Sequence, residues 1–210
     1  VSPSCKQPAR SQGPEANGEE DATLKASHLV PLAPARLHVG CGRCAAAGWI
    51  NVDLHEGPGV DVACDIRRGM PLPSEAFDCL VAIHVLQDMA YPDLLPALVE
   101  LHRVLRTGGV LRLGLPDLDK ALLAYFTGDH RYFYVPDRDA EDIGAKLITQ
   151  IVWYGSVRTP MTYGFIAEML ARAGFHDVRR CSFSQTMSPY AEIVSLDNRE
   201  RESLFVEAVR

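Results

Sequence analysis

RLHVGCGRCAAAGWINVDL, Arg36 to Leu54, is the stretch that decides how this chain is read. It opens as a short apolar strand, Arg36–Val39, breaks at Gly40 and Gly42, and resumes as a second apolar run, Trp49–Asp53, ending in an acid. Strand, glycine turn and strand ending in an acid is how an open α/β sheet builds a nucleoside pocket. Glycine lets the backbone approach a ligand where a side chain would block it. A terminal carboxylate can accept hydrogen bonds from both hydroxyls of a ribose.

Working outward, the chain alternates. Further strands are expected at Val60–Cys64, Phe77–Ile83, Val110–Leu115, Asp177–Phe183 and Ser203–Val209, most of them β-branched or Leu-rich runs bounded by Gly, Pro or Asp. The central ones are nearly all apolar, as strands covered on both faces must be. A helix is expected from Pro92 to Arg106. Pro92 and Asp93 suit its first turn, Leu94, Leu98, Leu101 and Leu105 share a stripe, and Thr107-Gly108-Gly109 stops it. A second helix, Thr162 to Ala173, carries Phe165, Ile166, Met169 and Leu170 inward and ends at Gly174. Residues 118–160 are less regular, mixing aromatics such as Tyr125, Phe126, Tyr132 and Trp153 with acids. They are the expected acceptor-binding insert or lid. Residues 1–30 are rich in Ser, Pro, Gly, Glu and Gln and are expected to form a disordered tail. The folded domain is expected over 31–210.

Composition narrows the functions. With 47% apolar and 23% charged residues, a chain of 210 residues can bury one real core. A net charge of −6 argues against an electrostatic grip on nucleic acid. No apolar run reaches the roughly 18 residues of a membrane span, and the first 22 residues hold no apolar signal-like region. The expectation is a soluble, cytoplasmic protein with no membrane or nucleic-acid partner. Cys41 and Cys44 form a CGRC pair, but a zinc site needs a second pair that the sequence lacks, so no metal is expected.

The order of the motifs resembles the class I S-adenosylmethionine-dependent methyltransferases. LHVGCG is similar to the family's first motif and INVDL to its second. VACDIRRGMPLPSEAFDCLVAIHVL is similar to the third and fourth strands, and LHRVLRTGGVLRLGLPDL to the helix, turn and strand that close the core. LARAGFHDVRRCSF and ESLFVEAVR resemble the terminal antiparallel hairpin. The resemblance implies an α/β fold, a doubly wound, mostly parallel seven-stranded sheet with a C-terminal antiparallel hairpin. It implies S-adenosyl-L-methionine as cofactor and S-adenosyl-L-homocysteine as product. Val39, Gly40, Cys41, Gly42, Asp53, Leu54, Asp65, Ile66, Ile83 and His84 are the implied cofactor residues, with Asp53 on the ribose and Asp65 and Ile66 beside the adenine.

Three departures stand out. Cys44 replaces the third glycine of the first motif. Only ten residues separate Gly42 from Asp53, where about 20 is common in dinucleotide folds, so the first crossover helix must be very short or a mere turn. Gln87-Asp88 stands where close relatives carry a Glu-His pair.

Methyl transfer needs an aligned acceptor, exclusion of water and, for a hydroxyl acceptor, a base. His84 and Asp88 are the candidate catalytic residues. Asp117 is a weaker candidate, because an acid after a strand commonly caps the next helix. The reading that results is methylation of a small molecule, on oxygen for preference, with a sugar or secondary metabolite as acceptor. Two others stand beside it: a catalytically silent cofactor-binding scaffold, and an NAD-dependent oxidoreductase, against which the terminal hairpin weighs.

Overall fold

The seven strands are β1 (Arg36–Val39), β2 (Ile50–Asp53), β3 (Val62–Ala63), β4 (Phe77–Ile83), β5 (Leu105–Pro116), β6 (His176–Cys181) and β7 (Ser203–Val209). They form one sheet in the order β3-β2-β1-β4-β5-β7-β6. The first five run parallel, and β7 is antiparallel to both β5 and β6. The molecule is known here as a computed structural model that describes residues 34–210, so the tail expected over 1–30 lies outside the described residues.

Among the described residues four α-helices alternate with the later strands: α1 (Tyr91–Val104), α2 (Leu118–Thr127), α3 (Ile143–Val152) and α4 (Tyr163–Arg172). Helices α1 and α4 cover one face. Leu94, Leu98 and Leu101 of α1 and Ile166 and Leu170 of α4 meet Leu37, Leu80, Leu111 and Val206 in the main core. Each such side chain contributes about 1.5–3 kcal/mol on leaving water. The opposite face, with Cys79, Val81, Ile83, Val110 and Phe205, packs on Trp49 and on Ile193 of the 3-10 segment Ala191–Leu196. That segment is pinned to the sheet by ions. The fully buried Arg112 guanidinium pairs with Asp197 at 2.5 Å and Glu207 at 2.6 Å.

Several boundaries depart from the sequence reading. Helix α1 ends at Val104, and Leu105 pairs with Phe77 at the start of β5 instead of extending the stripe. The next paired residue is Val110 with Cys79, so the Gly108-Gly109 turn is looped out within the strand. Strand β3 shrinks to two residues. Helices α2 and α3, not resolved in the sequence, form a satellite core around Ala121, Ala124, Tyr132, Phe133 and Leu147.

The crossover from β1 to β2 contains no helix. Asn51 holds it instead. Its Oδ1 accepts from Ala46 N at 2.8 Å, and its Nδ2 donates to Trp49 O at 3.0 Å and Ala46 O at 3.1 Å. One amide thus satisfies backbone groups that a helix would have paired within itself. Asp61 completes the arrangement by accepting from Asn51 N at 2.7 Å.

Candidate active site

The glycine turn lies where the strand order reverses. Val39 is level with Val52 on β2 and with Ala82 on β4, so Gly40, Asp53 and Ile83 follow together at the carboxyl edge. Ligands of open α/β sheets bind in this crevice. Gly40 takes φ +70°, and a Cβ there would stand 2.2 Å from Val85 Cγ2. Only glycine lets the turn press so closely on the segment after β4. Gly42, at φ +54°, faces open space: an added Cβ would meet nothing within 4 Å.

The donors of this turn are spent inside the protein. Gly40 N and Cys41 N donate to Val52 O at 2.8 and 3.2 Å. Gly42 N donates to Asp53 Oδ2 at 2.7 Å, and His55 N to Asp53 Oδ1 at 3.2 Å. A pyrophosphate is normally cradled by free N–H groups at the start of a helix. Here the N–H groups are committed and no helix follows the turn. The arrangement suits a nucleoside without phosphate and weighs against a dinucleotide. Each Asp53 oxygen keeps a lone pair for a hydroxyl donor. Leu54, beside it, is 53% exposed, an apolar surface next to an acid.

The other expected residues are distributed unevenly. Val39 and Ile66 lie in the main core and Ile83 in the cluster on the opposite face, so they support the site from beneath. Cys41 is buried. Burial, with the charge of Asp53, pushes its thiol up to about 11, which keeps it protonated at neutral pH and runs against a reactive dithiol. Asp65 caps the 3-10 turn Ile66–Arg68 and grips Arg67 through both oxygens at 2.7 Å. The Arg67 guanidinium holds that carboxyl below its usual range. Its carboxylate is therefore engaged by its own loop.

His84 follows β4 at φ +55°, donates its backbone N–H to Gly114 O at 2.7 Å, and sets Nε2 2.8 Å from Ser203 Oγ. It is only 2% exposed. Its imidazole is thus buried against Ser203 of β7. Asp88 is exposed, lies in the 3-10 turn Leu86–Asp88 and accepts from Gln87 Nε2 at 3.0 Å. It does not cap α1, whose N-cap is Ala90. Asp117 is a cap: its Oδ1 accepts from Asp119 N and Lys120 N, and its Oδ2 pairs with Arg180 at 2.8 Å.

Two further features belong to this end of the sheet. Gln87 is 3% exposed, and its Oε1 is a buried oxygen without a hydrogen-bond partner among the described residues. Such an atom normally awaits a donor. Beyond β5, a shallow hollow of about 20 Å³, room for about one water, opens between Asp117, Ala121, Tyr132, Val157 and Glu202. Glu202 is 7% exposed, and burial raises its carboxyl above the ordinary range against the opposing pull of Arg199. Gln87 stands in the motif after β4, whereas Glu202 belongs to no local motif. Glu202 reaches the site because β7 pairs antiparallel with β5, setting Ser203 opposite Pro116.

Strand order, terminal hairpin and phosphate-free turn together define the fold of the class I S-adenosylmethionine-dependent methyltransferases. Solved structures agree. A methyltransferase of this kind from Thermotoga maritima superposes with a TM-score of 0.52 at 18% identity, covering 90% of this chain and 87% of its own. One from Archaeoglobus fulgidus gives 0.53 at 14% identity, covering 92% and 95%, and one from Mesorhizobium loti gives 0.50 at 20%, covering 92% and 98%. At such identities these likenesses speak for the fold. No curated protein sequence matches the chain. Residues 37–113 match the family model described as a methyltransferase domain. Over those residues the chain is similar to a methyltransferase domain, and its fold is that of the S-adenosylmethionine-dependent class.

The residues present fit that cofactor. Open space above Gly42, an acid with spare lone pairs, a bared leucine beside it and an unsatisfied oxygen on Gln87 are what an adenosine bearing an amino acid requires.

Proposed function

We propose that this chain methylates a hydroxyl of a small molecule, a sugar or secondary metabolite, in the cytoplasm. The observation that carries the reading is the nucleoside-type crevice at the β1–β4 edge, with the chain's own 118–160 segment as the element that receives a small acceptor beside it. The net charge of −6 disfavours nucleic acid as acceptor. Among the described residues no helix is long and apolar enough to cross a membrane.

The sulfonium of S-adenosylmethionine supplies an already activated methyl group. The protein's share is to hold, align and deprotonate. Gly42, Asp53 and Leu54 hold the nucleoside. His84 fixes the start of β7 through Ser203. Asp88, exposed at the carboxyl end of β4, takes the proton of the acceptor hydroxyl.

Methyl-labelled S-adenosylmethionine, incubated with matched panels of hydroxyl and amine compounds, tests this. The expected products are O-methyl ethers, with Asp88→Asn lowering kcat by roughly 10²-fold at unchanged S-adenosylhomocysteine affinity. Transfer to amines alone would contradict the O-methylation reading.

A further inference from the structure

The main chain of the turn after β4 is held from several sides. Gln87 O accepts from Arg158 N at 2.8 Å and from Thr159 N at 3.0 Å. Thr159 Oγ1 donates to Met89 O at 2.8 Å, and Met89 N donates to Leu86 O at 3.1 Å. The Leu86 side chain is fully buried in the main core. Residues 86–89 are thus a fixed platform between the end of β4 and the close of the 118–160 insert.

Asp88 stands on this platform with its side chain exposed. An exposed aspartate on a turn ordinarily exchanges among its rotamers. Here the Gln87 amide restrains it, with Nε2 donating to Asp88 Oδ1 at 3.0 Å. Gln87 is only 3% exposed, so its amide has no room to swing away. The donor end must face Asp88, because a carboxylate only accepts. That orientation leaves Oε1 buried without a donor among the described residues. An unbranched apolar side chain would fill the same space with no orphaned oxygen. Packing alone gives no reason for an amide here, and the hydrogen bond to Asp88 gives one. The two positions also match as a pair. Where close relatives carry Glu-His, an ionised first residue can only accept. In Gln87-Asp88 the first residue donates and the second accepts.

Resting on the function proposed above, which gives Asp88 the proton of the acceptor hydroxyl, we propose that Gln87 is a positioning residue for that step. Its amide holds the Asp88 carboxylate in one orientation at the carboxyl end of β4. In the step itself the acceptor O–H bond breaks and its proton passes to the Asp88 carboxylate. The electron pair of that oxygen forms the bond to the methyl carbon, while the C–S bond breaks and its pair returns to sulfur. Gln87 touches none of the reacting atoms and acts only through Asp88.

The test uses the full chain as wild type, Gln87→Met, Asp88→Ala and the double variant. The assay contains saturating S-adenosylmethionine and the hydroxyl compound that wild type methylates fastest in the panel above. Urea unfolding, kcat and acceptor KM are measured for all four, and the Gln87 side-chain amide is read by NMR in wild type and Asp88→Ala. The proposal expects Gln87→Met to unfold at no lower urea concentration than wild type. It should lower kcat by roughly 10- to 100-fold and leave KM unchanged. In the Asp88→Ala background the same substitution should change kcat by less than about twofold, because the two residues act as one unit. The Gln87 amide protons should move upfield in Asp88→Ala, as a hydrogen bond to a carboxylate is lost. Equal loss of kcat in both backgrounds, a loss expressed in KM alone, a lower unfolding midpoint for Gln87→Met or unmoved amide protons each overturn it. If Gln87→Met does not fold, the amide protons decide alone. Amide protons that move, in a chain that transfers methyl to no hydroxyl compound, would keep the pairing and refute the base reading of Asp88 instead.

Discussion

Asp53 holds the glycine turn with one carboxylate oxygen and the loop after β2 with the other. The acid that ends an apolar strand beside two glycines was legible in the sequence, but the hydrogen bonds it accepts from Gly42 N and His55 N were not. Glu202 was not legible: its neighbours in sequence are Arg201 and Ser203, and its neighbours in the hollow come from residues 116–161. His84 was singled out by residue type and position, yet its φ of +55° turns it toward Ser203, a feature that no spacing rule reveals. Glu202 also has a signature in solution. Burial raises its carboxyl, while Arg199 and Arg201 pull it back and Asp117 and Tyr132 lie nearby. A group raised on folding adds stability that is full below its unfolded pKa and is lost as pH rises through the folded value. Denaturant unfolding of wild type and Glu202→Gln from pH 4 to 8 should therefore show wild type losing ground to the variant as pH rises. A gain across that window would mean that the carboxyl is not buried as described.

At the scale of elements, β1, β4 and β7 have the bounds that pattern alone gives, because each is a short run rich in apolar residues. The insert was not legible. Its aromatics belong partly to a satellite core and partly to the surface, so neither a helical nor a strand period dominates. The end of α1 was misplaced for a different reason. Leu105 continues the apolar stripe, but pairing with Phe77 captures it for β5. The helix-free crossover is the most distinctive element. It rests on Asn51, whose amide satisfies Ala46 and Trp49. Asn51→Ala leaves those backbone groups unpaired and should cost about 2 kcal/mol in urea unfolding. It should also weaken S-adenosylhomocysteine binding, since the same segment carries Gly42. A variant as stable as wild type would mean that water or the backbone replaces the amide at no cost.

At the scale of the molecule, one parallel sheet with a reversed terminal hairpin brings three distant parts of the sequence to a single edge. The glycine turn comes from β1, Gln87 and Asp88 follow β4, and Glu202 precedes β7. The order of motifs was enough to anticipate that sheet, because each strand carries its own apolar signal. The manner in which its second face is covered, by a short segment pinned through Arg112, Asp197 and Glu207, depends on ion pairs between residues 85 and 95 positions apart. Such pairs leave no local pattern.

The central claim is that the crevice beside Gly42 and Asp53 receives an adenosine without phosphates. Thermal unfolding with S-adenosylhomocysteine, and with NADH as the dinucleotide control, tests it most directly. A ligand at a hundredfold excess over its dissociation constant adds about 2.7 kcal/mol to the folded state. For a domain of this size the expected rise in Tm is roughly 5–10 °C, seen with S-adenosylhomocysteine and not with NADH. A rise with NADH alone, or none with S-adenosylhomocysteine at millimolar concentration, would contradict the account.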